Sequence, residues 1–195
     1  MILYYAPGAC SLADHIALHE ADLEFDRVKV DLKTHTTEDG RDYAAINPKG
    51  YVPALVLPGG ELLTENIAIL SWIADRAPQL TPKGDLGRYR LLETLAYIST
   101  EIHKGFKPFF TPGASDADKA KASETIAQRL GLLEGQVREG YLFGSHVSVA
   151  DAYLFVMLTW ASANGVAVPQ ALTAFSERMR ARPAVRLALE HEGLG

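Results

Sequence analysis

Cysteine is nearly absent: Cys10 is the only one among 195 residues. That excludes an internal disulfide and any metal centre built on several thiolates, and it fits a reducing, cytoplasmic compartment. Basic charge is not in excess either. The formal net charge is −5 and the pI about 5.7, so the bulk field disfavours nucleic acid and anionic membranes as partners. No apolar run is long enough to span a bilayer. Residues 147–168 are mostly apolar, but Asp151 and Asn164-Gly165 interrupt them, and residues 152–163 fall short of the roughly 20 that a spanning helix needs. The opening MILYYAPG has no basic segment before its apolar residues and reads as a first strand, not a secretory signal. The chain contains no GxGxxG, no Walker loop, no HExxH or other convincing metal spacing, and no Gly-x-Ser-x-Gly elbow. Low-complexity tracts and internal repeats are also missing.

What is present divides into two unlike parts. Residues 2–6 form a short apolar strand broken by Pro7-Gly8, and residues 11–21 continue as a helix. Alternating Phe25, Val28, Val30 and Leu32 predict a second strand over 24–32, and the polar residues 33–40 a loop. Residues 41–46 suit a helical turn or two ended by Asn47-Pro48. Strands over 52–57 and 61–63 flank Gly59-Gly60, a hairpin signal. A helix over 65–76 places Ile67, Leu70, Ile73 and Ala74 on one face. Residues 78–87 hold two prolines and two glycines without periodicity and mark a linker between residues 1–77 and 88–195. The second part reads as helices over 88–110, 115–139, 148–164, 169–182 and 183–191. The expected class is therefore α/β plus all-α, a βαβ–ββα unit followed by a helical bundle.

Cys10 follows a strand-ending turn and opens a helix, where unpaired N–H groups and the dipole favour a thiolate, its own or that of a bound thiol. A lone cysteine is also a small buried hydrophobe. Ser11 is either an N-cap or a hydroxyl near that sulfur. Tyr4 and Tyr5 take opposite faces of the first strand, so that one hydroxyl can turn toward the loop. Pro53 must begin a strand or lie at its edge, and a cis Val52-Pro53 bond there would let Val52 pair its backbone with an extended peptide-like ligand. Thr64-Glu65-Asn66 opens a helix, with Thr64 as cap, or else recognises a zwitterion: Glu65 for an ammonium, Asn66 and the helix N–H groups for a carboxylate. Thr100, His103 and Lys104 share a helix and suit a polar face. Ser148 to Asp151 is a capping box that starts the buried helix.

Taken together, YYAPGACSLADHIAL, AAINPKGYVPALVL, LLTENIAILSWIAD, EIHKGFKPFF and SVADAYLF resemble the glutathione transferase superfamily along essentially the whole chain, and most closely its bacterial beta class. The resemblance implies a thioredoxin-like N-terminal domain that binds glutathione, an all-helical C-terminal domain that binds a small hydrophobic electrophile, a homodimer and no metal. It places Cys10 at the family's active-site cysteine, with Tyr5 and Ser11 as polar neighbours of the sulfur. Val52 would pair with the cysteinyl unit of glutathione beside a cis Pro53, and Glu65 and Asn66 would hold the γ-glutamyl end. His103 would lie near the sulfur, Lys104 at the partner-subunit side, and Thr100 stands for a serine of the same site. Tyr97, Phe106, Phe109, Phe110 and Trp160 are the candidate acceptor wall. His35 occupies a position where close relatives often carry the lysine that holds the glycyl carboxylate, and Ala96 replaces a frequent asparagine. Three functions fit: conjugation of the glutathione thiol to an electrophile, thiol–disulfide exchange through a mixed disulfide on Cys10, and non-catalytic binding on the same fold.

Overall fold

The computed structural model describes residues 1–137 and 139–195. Its first part is a five-stranded sheet in the order β3-β2-β1-β4-β5. In β1 (Ile2–Tyr5) the pleat sends Leu3 and Tyr5 into the main core, and Tyr4 to the other face, where it joins Val30, Tyr43, Val52 and Ala54. Helix α1 (Leu12–Glu20) carries the chain over to β2 (Asp26–Asp31), which pairs parallel to β1. That is the expected βαβ crossover. β4 (Ala54–Val56) and β5 (Leu62–Thr64) form the predicted hairpin, with β4 antiparallel to β1. Gly60 turns it at a φ of 91° that favours glycine. Helix α2 (Asn66–Arg76) then packs its Ile69, Leu70 and Ile73 into the main core.

Two expectations about this part and the next change. Residues 33–40 are not all loop: Thr36–Thr37 form β3, antiparallel to β2. A strand of two threonines at a sheet edge has no apolar alternation to betray it. The helix expected over 88–110 is broken into α3 (Gly87–Tyr97), a π turn (Ile98–Ile102), a 3-10 turn (His103–Phe106) and α4 (Lys107–Phe110). The break has a packing cause. A Cβ at Gly105 would stand 2.9 Å from the Ile126 side chain of α5 (Asp116–Glu134), so the bend approaches its neighbour more closely than a side chain there would permit without displacing Ile126.

The centre of the helical part is α6 (Val149–Ala163), buried without interruption from Val149 to Leu158. Asp151 starts it: its carboxylate accepts the Ser148 N–H at 2.7 Å, the Ser148 hydroxyl at 2.6 Å and the Leu142 N–H at 2.8 Å. Three donors make a buried carboxylate tolerable, although burial still pushes its pKa up to about 6. α7 (Gln170–Arg180) and α8 (Pro183–Glu192) complete the bundle. Helix α1 packs on both α6 and α8, and Arg182 clamps Glu20 at the end of α1 with two bonds of 2.5 and 2.7 Å. One continuous core thus runs from the sheet into the bundle. Among the described residues no helix is long and apolar enough to cross a membrane.

Candidate active site

The loop between β1 and α1 is held from three directions. Ser11 is fully buried, and its hydroxyl accepts from Ala6 N–H at 3.2 Å and donates to Ala6 C=O at 3.4 Å. It stitches the loop shut, makes no side-chain cap, and has no hydroxyl free for a neighbouring sulfur, so both expectations for it are corrected. Gly8 N–H donates to Glu192 of α8 at 2.8 Å, and Gly8 C=O accepts from the Trp160 indole at 2.8 Å. The helical part therefore fixes the loop that carries Cys10.

The Cys10 thiol donates to Val52 C=O at 3.4 Å. The N–H groups of Cys10 and Ser11 act on the sulfur as expected of a helix start and pull its pKa down. Burial, followed by the Asp14 carboxyl, outweighs them and pushes the thiol up to about 12. The magnitudes explain the outcome. A helix terminus contributes about 0.3–2 kcal/mol, whereas desolvation alone shifts buried groups by as much as several pH units. Cys10 is a thiol and a hydrogen-bond donor, not a resident thiolate.

Asp14 was not among the residues singled out from sequence. It lies one turn after Cys10 on α1, fully buried, and neither carboxyl oxygen has a hydrogen-bond partner among the described residues. Burial holds its pKa well above the usual carboxylate range. Its four-residue spacing from Cys10 was the available signal.

Across from Cys10, Val52-Pro53 is cis. Tyr43 hydroxyl and Asn47 amide both donate to Tyr51 C=O, at 3.1 and 2.7 Å, and steady the turn before it. His35, exposed and at a φ of 53°, lies over Gly50, where a Cβ would meet its ring at 3.3 Å. Thr64 proves to be the last residue of β5, not the helix cap. The cap position is Glu65, held at φ 76°, ψ 126°. This uncommon backbone for a non-glycine residue projects the carboxylate outward. Lys49 pairs with it, Tyr51 hydroxyl donates to it at 2.7 Å, and together they hold its pKa below the usual range. The Asn66 side chain turns inward instead, donating to Cys10 C=O at 3.0 Å. It ties α2 to the sulfur loop, and its backbone N–H stands at the helix start.

His103 comes from the bend. Its Nδ1 lies 2.6 Å from Tyr153 hydroxyl and its ring meets Trp160 edge-on, with ring centres 5.0 Å apart. Burial, with Lys104 second, drops its pKa to about 4, so the imidazole is neutral at pH 7. In the tautomer where Tyr153 donates to Nδ1, the neutral ring carries its proton on Nε2. Tyr153 was missed, although a hydroxyl inside an otherwise apolar helix needs a partner and is a readable signal. Phe106 and Phe110 pack on Trp160 at 5.5 and 4.9 Å, and Phe109 on Phe106 at 5.9 Å. The aromatic wall assembles, though fully buried Phe106 backs it rather than lining it. Tyr97 does not belong to it: its hydroxyl donates to Arg129 C=O, and it lines a separate cavity with Arg90, Leu132 and Phe143. Thr100 spends its hydroxyl on Ala96 C=O. Lys104 is exposed beside the bend. Tyr5 packs against His15, ring centres 5.7 Å apart, and the charges acting on its hydroxyl are those of Glu38, Glu192 and Arg27. It serves the core rather than the sulfur.

Comparison with known proteins settles what this crevice belongs to. Residues 9–76 match the family model for the glutathione S-transferase N-terminal domain, and residues 97–183 that for the C-terminal domain. Glutathione S-transferase GstA of Escherichia coli O157:H7 is 43% identical over the full length of both chains. The chain belongs to the glutathione S-transferase family. A Sphingomonad glutathione S-transferase solved in complex with glutathione superposes at a TM-score of 0.92 with 46% identity, covering all of both chains. A bacterial beta class glutathione S-transferase from Sphingomonas chungbukensis superposes at 0.91 with 48% identity, again over all of both. The family resemblance read from NPKGYVPAL, TENIAI and HKG is therefore correct, as is the thioredoxin-like sheet with its helical partner.

Proposed function

We propose that this glutathione transferase conjugates the glutathione thiol to small hydrophobic electrophiles as a cytoplasmic, detoxifying homodimer. Residues 1–77 would form the glutathione-binding unit and 88–195 the acceptor unit, joined by residues 78–87. The observation that carries the reading is the set of neutral hydrogen-bond donors gathered where the sheet meets the bundle: the Cys10 thiol, the Cys10 and Ser11 N–H groups, and His103 with its Nδ1 committed to Tyr153. Donors that keep their protons at neutral pH favour an anion beside them, and the anion of a transferase is its co-substrate thiolate.

Val52 offers its N–H and C=O to the cysteinyl backbone, with the Cys10 thiol released from Val52 C=O toward the incoming sulfur. Glu65, aimed outward and ionised, takes the γ-glutamyl ammonium, and the N-terminal N–H groups of α2 take its carboxylate. His35 faces the glycyl end and Lys104 the partner subunit. Trp160, Phe109 and Phe110 supply the apolar surface for the acceptor. The high pKa of Cys10 weighs against it acting as a mixed-disulfide nucleophile, because the thiolate is the reactive form.

Calorimetric titration with reduced glutathione should give binding in the micromolar to low millimolar range. The pH–rate profile for conjugation should show a pKa below that of free glutathione, and Cys10→Ala should keep part of the conjugating activity. A profile equal to that of free glutathione, or complete loss in Cys10→Ala, would overturn this assignment.

A further inference from the structure

Away from Cys10, α1 carries a second cluster. His15 and His19 stand one turn apart on its core-facing side, and His191 lies in the last turn of α8. The three ring centres are 5.1, 5.4 and 5.7 Å apart, and one ring nitrogen from each lies within 4.8 Å of the other two. Three imidazoles bound to one tetrahedral ion at about 2.1 Å have ring centres roughly 5 Å and nitrogens roughly 3.4 Å apart. The rings are therefore already at the right separation, and small side-chain rotations close the remaining gap between nitrogens. Phe25 packs against His15 and His19 at 5.6 and 5.0 Å and walls the cluster on one side.

Two observations point to a ligand. Among the described residues, His15 Nε2 and His19 Nε2 are both buried without a hydrogen-bond partner, and the side chain of His15 has no exposure at all. A buried ring nitrogen left unpaired is unfavourable and calls for a reason. The other nitrogen of His15, Nδ1, meets Glu192 Oε1 at 2.9 Å. A carboxylate behind Nδ1 orients the ring and presents the Nε2 lone pair, the arrangement found behind metal-bound histidines. Glu192 is itself fixed, since its other oxygen accepts Gly8 N–H.

We infer that His15, His19 and His191 form a binding site for one divalent transition-metal ion of the zinc type, with Glu192 as the outer carboxylate that orients His15. Three imidazoles suit zinc, copper(II), nickel or cobalt rather than calcium or magnesium. His19 and His191 are partly exposed, which leaves a way in and a fourth position for water. Arg27 opposes the ion with its own charge, and its guanidinium rests on His191 Nδ1. Arg27 is exposed and free to swing out as the ion arrives. An ion here would join α1 to α8, hence the sheet to the bundle, on the same Glu192 that holds the Cys10 loop.

The test uses metal-free full-length protein without glutathione or other thiols. Zinc chloride is titrated in competition with a chromophoric chelator, and cobalt(II) is used to report the donor set. One zinc ion per chain, at least about tenfold weaker binding in His19→Ala and in His191→Ala, and tetrahedral cobalt absorption without a thiolate charge-transfer band are the expected results. Both variants should keep the conjugating activity and lose the zinc-induced rise in melting temperature. No stoichiometric binding to the unaltered chain, equal affinity in the variants, or a cobalt spectrum with thiolate character would each overturn the site.

Discussion

Burial acts at both ends of α1, but on opposite kinds of group. At the first turn it meets acids. Cys10 and Asp14 are both driven toward their neutral, protonated forms. From His15, the residue after Asp14, to His19 in the last turn it meets bases. His15 and His19 are pushed down to about 3 and about 4, chiefly by burial, so both imidazoles are neutral through the physiological range. One end is left with protons to donate and the other with lone pairs to accept, although a single helix and a single core produce both. The helix dipole, which would favour an anion at Cys10 and a cation at His19, loses at each. Its contribution is of the order of one kcal/mol, and the desolvation of a charge is larger. Chemistry along α1 is thus set by depth rather than by position along the helix.

The largest test of that contrast is the reactivity of Cys10. A shift from about 9 to about 12 lowers the thiolate fraction at pH 8 on the order of 1,000-fold. Alkylation by iodoacetamide should run at least ~100 times slower than that of free glutathione, with no plateau below roughly pH 11. A rate within tenfold of the free thiol would mean that the helix terminus, not burial, governs this end. Next in size is Glu192→Ala, which strikes both ends together. It removes the acceptor of the partly buried Gly8 N–H and the partner of the fully buried His15 Nδ1 and leaves both groups unpaired. Urea unfolding should report a loss of about 2–4 kcal/mol, with Glu192→Gln recovering a good part of it. A loss under about 1 kcal/mol would show that the two ends are not held in common.

Much of this architecture was legible in the chain. The Gly59-Gly60 hairpin, the Ser148–Asp151 box and the alternation in β1 act through neighbours a few residues away, and local patterns report them. What could not be read depends on distance in sequence. Asp14 and Cys10 looked like an ordinary helix start because the depth of α1 is set by α6 and α8, more than 130 residues later. Asn66 read as a ligand donor because nothing local shows that its amide reaches Cys10 C=O. Tyr97 and Phe110 share a helical stretch, yet the turns between them send Tyr97 toward Arg129 and Phe110 onto Trp160. His191 gave no metal spacing with His15 and His19 because their proximity is created by the packing of α8 on α1.

A smaller effect comes from the hydroxyl that sets the tautomer of His103. Tyr153→Phe frees Nδ1 and lets the proton leave Nε2. One hydrogen bond of about 1–1.5 kcal/mol corresponds to roughly tenfold, and it should fall on kcat for conjugation while KM for glutathione stays within about twofold. An equal loss in KM would assign Tyr153 to ground-state binding instead.

An effect of similar size has an unusual sign. Asp14→Ala deletes a buried carboxyl that satisfies none of its hydrogen bonds, so the variant should be more stable than the parent, by about 1–2 kcal/mol at pH 7. The pH dependence follows from linkage. Because the folded pKa lies above the unfolded one, the folded chain binds more protons once pH exceeds the ordinary carboxyl value near 4, and stability falls as pH rises toward the folded pKa. The advantage of Asp14→Ala should therefore widen from pH 4 upward. Cys10 and Tyr153 are the titratable groups within its field, and neither ionises in that window, so the slope belongs to Asp14. Buried histidines impose the reverse slope, since their lowered pKa values withdraw stability as pH falls below about 6.5. Urea midpoints of parent and variant between pH 5 and pH 8 separate the two. A constant gap would place the Asp14 proton outside the folding equilibrium, and a variant less stable than the parent would mean that the carboxyl has a partner in solution and that this end of α1 is wetter than its burial implies.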